Sequence, residues 1–252
     1  MESDSKHGGK LFKAMMEDAA ALCERRNAPV FTDFLTEEEQ SVAIAVMKAA
    51  QAQYLLYGGF EEAERRMLGV FPPYEEPDAS LFPMDSVTAE YRASETLSHR
   101  AVLGTLMAQG IERSCIGDIL LENGRCVFFC RPTVTRALLD NIGKMGGTGV
   151  KLTQGHEEPL PAAHTFQDIT DTVASARLDC MVAALGGMGR GRAEQLITAG
   201  EVMVNATPCK KVSQTVREGD KLTIRGQGKF IIADIGNVTR KGRLILSARK
   251  YN

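Results

Sequence analysis

A pair of arginines, Arg190 and Arg192, stands at the predicted start of a short helix near the end of the chain. The free N–H groups and the partial positive charge of a helix N-terminus attract anions on their own. Two guanidinium groups added at that point predict a compact phosphate-binding corner. Two further residues complete this first set of candidate contacts. Arg177 precedes the first of two predicted helices, and Gln195 lies on the second helix, which begins with Arg190.

The positive charge of the chain is concentrated at one end. The 252 residues have a formal net charge of −2. Residues 175–252 carry 14 Lys or Arg and 6 Asp or Glu, whereas residues 1–174 carry 16 and 26. A basic segment beside an acidic body is typical of proteins that bind a polyanion, and chance segregation of solvated charge is the alternative. The other candidate contacts are basic residues in predicted loops and turns: Lys210, Lys211, Arg225, Lys229, Arg240, Lys241 and Arg243.

The basic segment contains few aromatic residues. Phe230 and Tyr251 are the two aromatic residues in 175–252. This scarcity argues against a platform on which single-stranded bases stack, and it favours recognition of folded RNA by shape. Because lysine and arginine release counterions when they contact phosphates, binding should weaken steeply with salt.

Several other classes of protein are disfavoured by composition. The six cysteines have no C-x-x-C spacing, so we expect no zinc site, and we expect no other metal and no cofactor. The N-terminus lacks an apolar signal sequence, and no apolar run approaches the roughly 18 residues of a membrane helix. We therefore expect a cytoplasmic monomer with no membrane partner.

The pattern of elements predicts an α+β protein in four segments. Residues 1–77 form a mostly helical N-terminal domain, and residues 154–174 form a linker without periodicity or core positions. Residues 78–153 have the order β-α-β-β-α-β of a ferredoxin-like, RRM-like domain. Residues 175–252 form the basic domain, with a β-hairpin extension at its end.

Three local signals support this division. Thr36 with Glu39 predicts a helix with a capping box, and Glu122-Asn123-Gly124 predicts a hairpin between two strands. A further helix is expected over 61–68, before a Pro-rich boundary at 73–83.

The basic domain resembles the S4 domain, a small RNA-binding module, over about residues 175–235. The motifs occur in the S4 order: R-L-D at 177–179, the helix with Arg190 and Arg192, L-I-x-x-G at 196–200, V-x-V-N at 202–205, and V-x-E-G-D at 216–220. Two departures concern turns. Ala206 replaces a usual glycine, and Gly189 and Gly191 replace serines. The missing hydroxyls predict weaker binding, although glycines could instead let the backbone come closer to RNA or simply loosen the turn.

Asp179 of the R-L-D motif is a possible catalytic residue, because pseudouridine synthases use an aspartate nucleophile in a similar context. The structural alternative is stronger: a carboxylate at the start of a helix is favoured by the helix dipole. In S4-bearing pseudouridine synthases the catalytic domain also follows the S4 module, whereas here only a hairpin follows it. We predict no enzymatic activity.

A second cluster lies in the middle domain and comprises His99, Arg100, Arg113 and Asp118. Together with Gly58-Gly59-Phe60 and Ala63-Glu64-Arg65 upstream, it resembles the YlmH-type family of bacterial S4 proteins, over about residues 30–252. The four side chains could form a structural network, an RNA or partner contact, or an acid–base pair of His99 with Asp118. A nucleophile, a metal set and a phosphate loop are not evident nearby.

The YlmH-type resemblance implies a function. Proteins of this family bind the large ribosomal subunit and are implicated in the rescue of subunits blocked by peptidyl-tRNA. This chain would then position itself on ribosomal RNA through the S4 arginines. The alternatives are an RNA-modifying enzyme like a pseudouridine synthase, and an RNA- or DNA-binding regulator linked to cell division.

Overall fold

The computed structural model describes residues 2–163, 166–239 and 242–251. It divides into two compact units, Met1–Ala163 and His164–Asn252. The elements of the first unit are α1 (Glu2–Arg26), β1 (Val30–Leu35), α2 (Glu37–Ala49), β2 (Gln53–Tyr57), β3 (Arg66–Phe71), β4 (Asp85–Glu90), α3 (His99–Ala108), β5 (Ile116–Glu122), β6 (Arg125–Cys130), α4 (Pro132–Asn141), β7 (Lys144–Met145), β8 (Thr148–Gly149) and β9 (Lys151–Gln154).

The two N-terminal helices agree with the sequence. α2 begins with the predicted capping box, in which the Thr36 N–H donates to Glu39 Oε2 at 2.7 Å and the Glu39 N–H donates to Thr36 Oγ1 at 3.3 Å. α1 contributes Met16 and Cys23 to a core that it shares with α2 and with β3. The two helices therefore bury their apolar stripes against a sheet.

The sequence indicated one strand of that sheet, over residues 54–57, which the structure has as β2. β1, β3 and β2 pair in this order, all antiparallel. The helix predicted over 61–68 is wrong, because residues 66–71 form the central strand β3. Helix-favouring residues at 61–65 led to that prediction, but residues 67–71 are all buried between two layers, and this burial favours a strand over the local propensity.

The ferredoxin-like plan of the middle segment is confirmed. The second sheet has the order β5-β6-β4-β9 with antiparallel pairing throughout. α3 and α4 contribute Val102, Leu106 and Leu138 to the core on one face of this sheet. The predicted Glu122–Gly124 turn joins β5 to β6, with Gly124 at a φ of +83°.

The opposite face of the second sheet packs against the N-terminal segment. Phe129 and Leu120 from the second sheet share a core with Phe34 and Met67 from the first sheet. The segments predicted as residues 1–77 and 78–153 therefore pack against each other through a shared core. Residues of both segments form one unit with a continuous interior.

The second unit has one six-stranded sheet covered by a pair of helices. The sheet order is β10-β15-β14-β13-β11-β12, and the pairing is antiparallel. Its elements are β10 (Phe166–Val173), α5 (Leu178–Leu185), α6 (Arg190–Thr198), β11 (Val202–Val204), β12 (Thr207–Pro208), β13 (Lys221–Ile224), β14 (Gly228–Val238) and β15 (Leu244–Tyr251).

The segment predicted as a linker over 154–174 needs correction. Its second half is the edge strand β10, which pairs with β15 from Phe166 opposite Tyr251 to Val173 opposite Leu244. The partner strand lies about eighty residues further along the chain, so the local sequence could not reveal the pairing. The hairpin extension of β14 and β15 was predicted, and β10 adds a third strand to it.

None of the helices in the described ranges is long and apolar enough to cross a membrane.

Candidate nucleic-acid interface

A buried carboxylate joins the two helices of the second unit. Asp179, in the first turn of α5, is 0% exposed. Its Oδ1 accepts a hydrogen bond from Arg177 Nε at 3.0 Å, and its Oδ2 accepts one from Arg190 Nη2 at the start of α6. The R-L-D motif and the arginine-bearing helix are thus parts of one ion-paired cluster.

The electrostatics of this cluster keep the carboxylate charged. Burial acts to raise the pKa of Asp179, but hydrogen bonds and positive charge from Arg177 and Arg190 outweigh it and lower that pKa. The same contact raises the pKa of Arg190. A carboxylate that is buried and held by two guanidinium groups is a poor nucleophile, because substrate cannot reach it. This geometry supports the structural interpretation of Asp179.

The two arginines of α6 have different environments. Residues two apart on a helix do not face each other. Arg190 turns back to Asp179, and its side chain stays 56% exposed, so its other N–H donors can meet a ligand. Arg192 is exposed, and its Nη1 donates to Gln195 Oε1 at 3.2 Å. Of the two arginines at the predicted phosphate-binding corner, Arg190 therefore holds the start of α6 against α5, and Arg192 faces outward.

The glycines at the start of α6 leave its surface open. Gly189 is the N-cap residue, with a φ of −69° and no side-chain capping bond. A Cβ atom placed on Gly189 or Gly191 would have no neighbour within 4 Å. Both positions therefore have room for a serine side chain, and the start of α6 beside Arg192 is open.

The basic loops form a separate part of the surface. Lys210 and Lys211 are exposed after β12. Lys211 lines an open cavity of about 430 Å³ together with Arg217 and Asp220. Arg225, after β13, forms an ion pair with Glu201 at 3.1 Å, which reduces its availability for phosphate.

The remaining candidates lie on or beside the sheet. Lys229 lies over the ring of Tyr251, 5.0 Å from the ring centroid, and Arg243 donates to the carbonyl of Thr172. Arg240 and Lys241 lie outside the described residues. The structure thus brings together Arg177 and Arg190 around Asp179, with Arg192 and Gln195 further along α6.

The second predicted cluster is centred on a loop contact. Asp118 at the start of β5 accepts hydrogen bonds from the backbone N–H groups of Glu64 and Arg65, the latter at 3.2 Å. Arg65 in turn donates to the carbonyls of Ile116 at 3.0 Å and of Phe34 at 2.9 Å. These bonds fasten residues 61–65 to both sheets, in agreement with a structural role.

Arg113 and His99 lie at the margin of this network. Burial and the charge of Arg65 lower the pKa of Arg113 to about 10, and Arg113 donates to the carbonyls of Ile116 and Gly117. Partial desolvation of the ring and the charge of Arg113 lower the pKa of His99. Neighbouring Arg100 lines an open groove along α3 of about 520 Å³. Of the four residues, His99 and Arg100 are the exposed ones.

The second sheet of the first unit, β5-β6-β4-β9, does not offer the exposed stacking surface of an RRM. Phe129 is 2% exposed and stacks on Phe60 with ring centroids 5.5 Å apart. Leu120 beside it is also buried. The N-terminal segment covers this face, so nucleotides cannot reach its aromatic residues.

Comparison with known proteins agrees with this architecture. Residues 176–222 match the S4 domain, and residues 77–158 match a domain described as "Putative RNA-binding domain in YlmH". The chain is 30% identical over 214 residues to the ribosome-associated protein quality control protein P2 of Bacillus subtilis, a match that covers 84% of this chain and 83% of that protein. The chain belongs to the YlmH-type family.

A solved structure of a YlmH-type protein shares the fold. The cell division protein ylmH from Streptococcus pneumoniae superposes with a TM-score of 0.51 at 24% identity, and the match covers 58% of this chain and 90% of that one.

Within the described part of the chain, no group of three or more His, Cys, Asp or Glu residues could hold a metal ion.

Some residues of the second unit were not among the candidate contacts selected from the sequence. Arg217 lines the cavity beside Lys211, and Arg249 lies over the ring of Phe166, 4.9 Å from the ring centroid. The V-x-E-G-D motif contains Arg217 and could have directed attention to it. Phe166 was assigned to the linker, so its neighbours could not be found from sequence.

Proposed function

We propose that this protein is a non-enzymatic RNA-binding protein of the cytoplasm that docks on ribosomal RNA of the large subunit. Its role is the quality control of subunits that are blocked by peptidyl-tRNA. The observation that carries the proposal is the start of α6, where Arg192, Gln195 and the outer part of Arg190 present hydrogen-bond donors beside a helix N-terminus.

The charge of the second unit supports a polyanionic ligand. Its balance of 14 basic and 6 acidic residues over 175–252 contrasts with the acidic remainder of the chain. Exposed Lys210 and Lys211 extend the positive surface beyond the helix pair. Such a surface gains affinity by releasing counterions from phosphates, so it suits RNA of defined shape without base-specific pockets.

The ribosomal part of the proposal comes from the relative in Bacillus subtilis. That protein is a ribosome-associated quality control protein by name, and it aligns over both units of this chain. We transfer ribosome association to this chain on that ground, and the large subunit is our proposal for the binding partner. In this account the chain makes and breaks no bond, and its contribution is to position itself on the RNA.

Binding to a folded RNA tests the first step of the proposal. The probes are a labelled hairpin from large-subunit RNA and a DNA duplex of equal length, titrated with the full chain at several salt concentrations. The change is Arg192→Gln, which removes one outward-facing charge, and the matched control is Arg136→Gln on α4, whose side chain is 94% exposed.

We expect tighter binding to the RNA hairpin than to DNA. We also expect Arg192→Gln to weaken RNA binding and to reduce the slope of log affinity against log salt by about 1, as for the loss of one phosphate contact. Arg136→Gln should leave both quantities unchanged. Equal effects of the two variants would contradict the proposed interface.

A further inference from the structure

Two aromatic residues from distant parts of the chain meet on the sheet of the second unit. The register of β10 and β15 sets Phe166 opposite Tyr251. Their ring centroids are 5.0 Å apart, with the ring planes at 67°. Both side chains are partly exposed.

Two cations accompany these rings. Lys229 Nζ lies 5.0 Å from the centroid of the Tyr251 ring, and the Arg249 guanidinium carbon lies 4.9 Å from the centroid of the Phe166 ring. Each distance lies within the range of a cation–π contact. The four side chains, Phe166, Tyr251, Lys229 and Arg249, are called the aromatic–cationic face below.

This face is on the side of the sheet away from the helices. Successive side chains of a strand point to opposite faces. Leu222, Phe230 and Ala248 point inward to the core that contains α5 and α6. Lys229 precedes Phe230 and Arg249 follows Ala248, so the side chains of Lys229 and Arg249 point outward.

The charge balance of the outer face is positive. Residues that are opposite each other in neighbouring strands share a face of the sheet. Lys221 is opposite Ile231, and Ile231 is opposite Arg249, so Lys221 lies on the outer face with Arg249 and Lys229. Asp168, opposite Arg249, and Asp234, opposite Ser247, are carboxylates on this face. Three cations against two carboxylates leave a positive balance, which favours an anionic ligand.

We propose that the aromatic–cationic face is a second RNA contact, which binds unpaired nucleotides by stacking a base on Phe166 or Tyr251 while Lys229 and Arg249 contact the adjoining phosphates. Aromatic rings interleaved with cations are the arrangement by which proteins hold single strands without sequence preference. The sheet β5-β6-β4-β9 of the first unit cannot stack bases in this way, because its face with Phe129 is buried. The proposal rests on the proposed function only in taking RNA as the ligand, and it uses residues that are separate from Arg192 and Gln195.

An unstructured RNA separates this face from the helix pair. The probe is a labelled dodecamer of uridines, titrated with the full chain, and the hairpin described above serves as the second ligand. The variants are Phe166→Leu with Tyr251→Leu, which keep apolar side chains in β10 and β15 but remove both rings. Arg192→Gln is the complementary variant.

We expect the double leucine variant to bind the dodecamer about tenfold more weakly, as for the loss of one stacked base, and to keep most of its hairpin affinity. Arg192→Gln should show the reverse pattern. A well-folded double variant with unchanged dodecamer affinity would overturn the proposal, and so would a wild-type chain that binds the hairpin but not the dodecamer. Unchanged hairpin binding by Arg192→Gln would contradict the proposed function and leave the assignment of this face standing.

Photo-crosslinking tests the face in the unaltered protein. Dodecamers containing 5-bromouridine are irradiated with the wild-type chain, and the adducts are mapped by mass spectrometry. We expect adducts on Phe166 or Tyr251. Adducts confined to other residues would show that the dodecamer binds elsewhere on the chain and would overturn the proposal.

Discussion

Arg190 donates a hydrogen bond through Nη2 to the buried Oδ2 of Asp179, eleven residues earlier in the chain. This contact joins the start of α6 to the start of α5, and Arg177 completes it from the other side. The orientation of the start of α6 therefore depends on a buried carboxylate. One of the two arginines predicted to contact phosphate has a structural role as well.

The first prediction separates the two arginines of α6. Arg190→Gln should lower the free energy of unfolding of the second unit, because the buried Asp179 carboxylate loses a charged donor. Arg192→Gln should change it by less than about 0.5 kcal/mol, as is usual at an exposed site. Amide hydrogen exchange in α5 and α6 of the full chain measures both changes. Equal protection in the two variants would contradict the role assigned to the Asp179–Arg190 contact.

The second prediction concerns acid stability. The pKa of Asp179 is lower in the folded protein than the ordinary value of about 3.9. The folded state therefore binds fewer protons, so this group stabilises the fold above about pH 4 and the stabilisation disappears as the pH falls through its folded pKa. Asp179→Asn should be less stable than wild type at pH 7.

The difference between Asp179→Asn and wild type should shrink below about pH 4, where the wild-type carboxylate becomes protonated. Thermal unfolding between pH 3 and pH 7 measures this difference. Asp140→Asn, at an exposed position on α4, is the control and should follow the wild-type curve. A constant difference between Asp179→Asn and wild type at every pH would exclude the ionised pair as its cause.

The third prediction concerns the turn after β11. Asn205 and Ala206 have φ values of +51° and +61°, and the left-handed region is costly for alanine. Ala206→Gly should stabilise the second unit by about 0.5–1 kcal/mol, after allowance for the extra freedom of glycine in the unfolded chain. Ala199→Gly, at an ordinary φ of −70°, is the control and should bring no gain. Chemical unfolding followed in the second unit distinguishes the two, and an unchanged midpoint for Ala206→Gly would count against strain in this turn.

The fourth prediction concerns the second cluster. Asp118→Asn replaces the carboxylate that accepts from the N–H groups of Glu64 and Arg65, so the first unit should lose about 1–3 kcal/mol of stability. Binding to the RNA hairpin should not change. Arg100→Gln, at the exposed start of α3, is the paired variant that leaves this network intact. If Asp118→Asn kept its stability but lost RNA affinity, the structural assignment would be wrong.

Local signals in the sequence predicted local structure. The Thr36–Glu39 capping box and the Asn123-Gly124 turn depend on neighbours within a few positions, and each has the predicted form. β3 and β10 depend on partners far along the chain. β3 is a strand because two layers bury it, and β10 is a strand because β15 pairs with it.

The same distinction holds for the candidate site. Motif order was enough to predict the S4 helices and to select Arg177, Arg190 and Arg192. It could not show that Arg190 pairs with Asp179, since that contact depends on the angle between two helices. Nor could it join Phe166 to Tyr251, because Phe166 lay in a segment without a recognisable period.

Sedimentation with ribosomal subunits tests the central claim most directly. The purified chain is run on sucrose gradients with small or large subunits over a series of salt concentrations, and the large subunits are prepared with and without peptidyl-tRNA. We predict salt-sensitive co-migration with large subunits, which peptidyl-tRNA strengthens and Arg192→Gln weakens. A chain that stays at the top of the gradient with every subunit, even at low salt, would contradict the ribosomal role and leave an S4 protein with a different RNA partner.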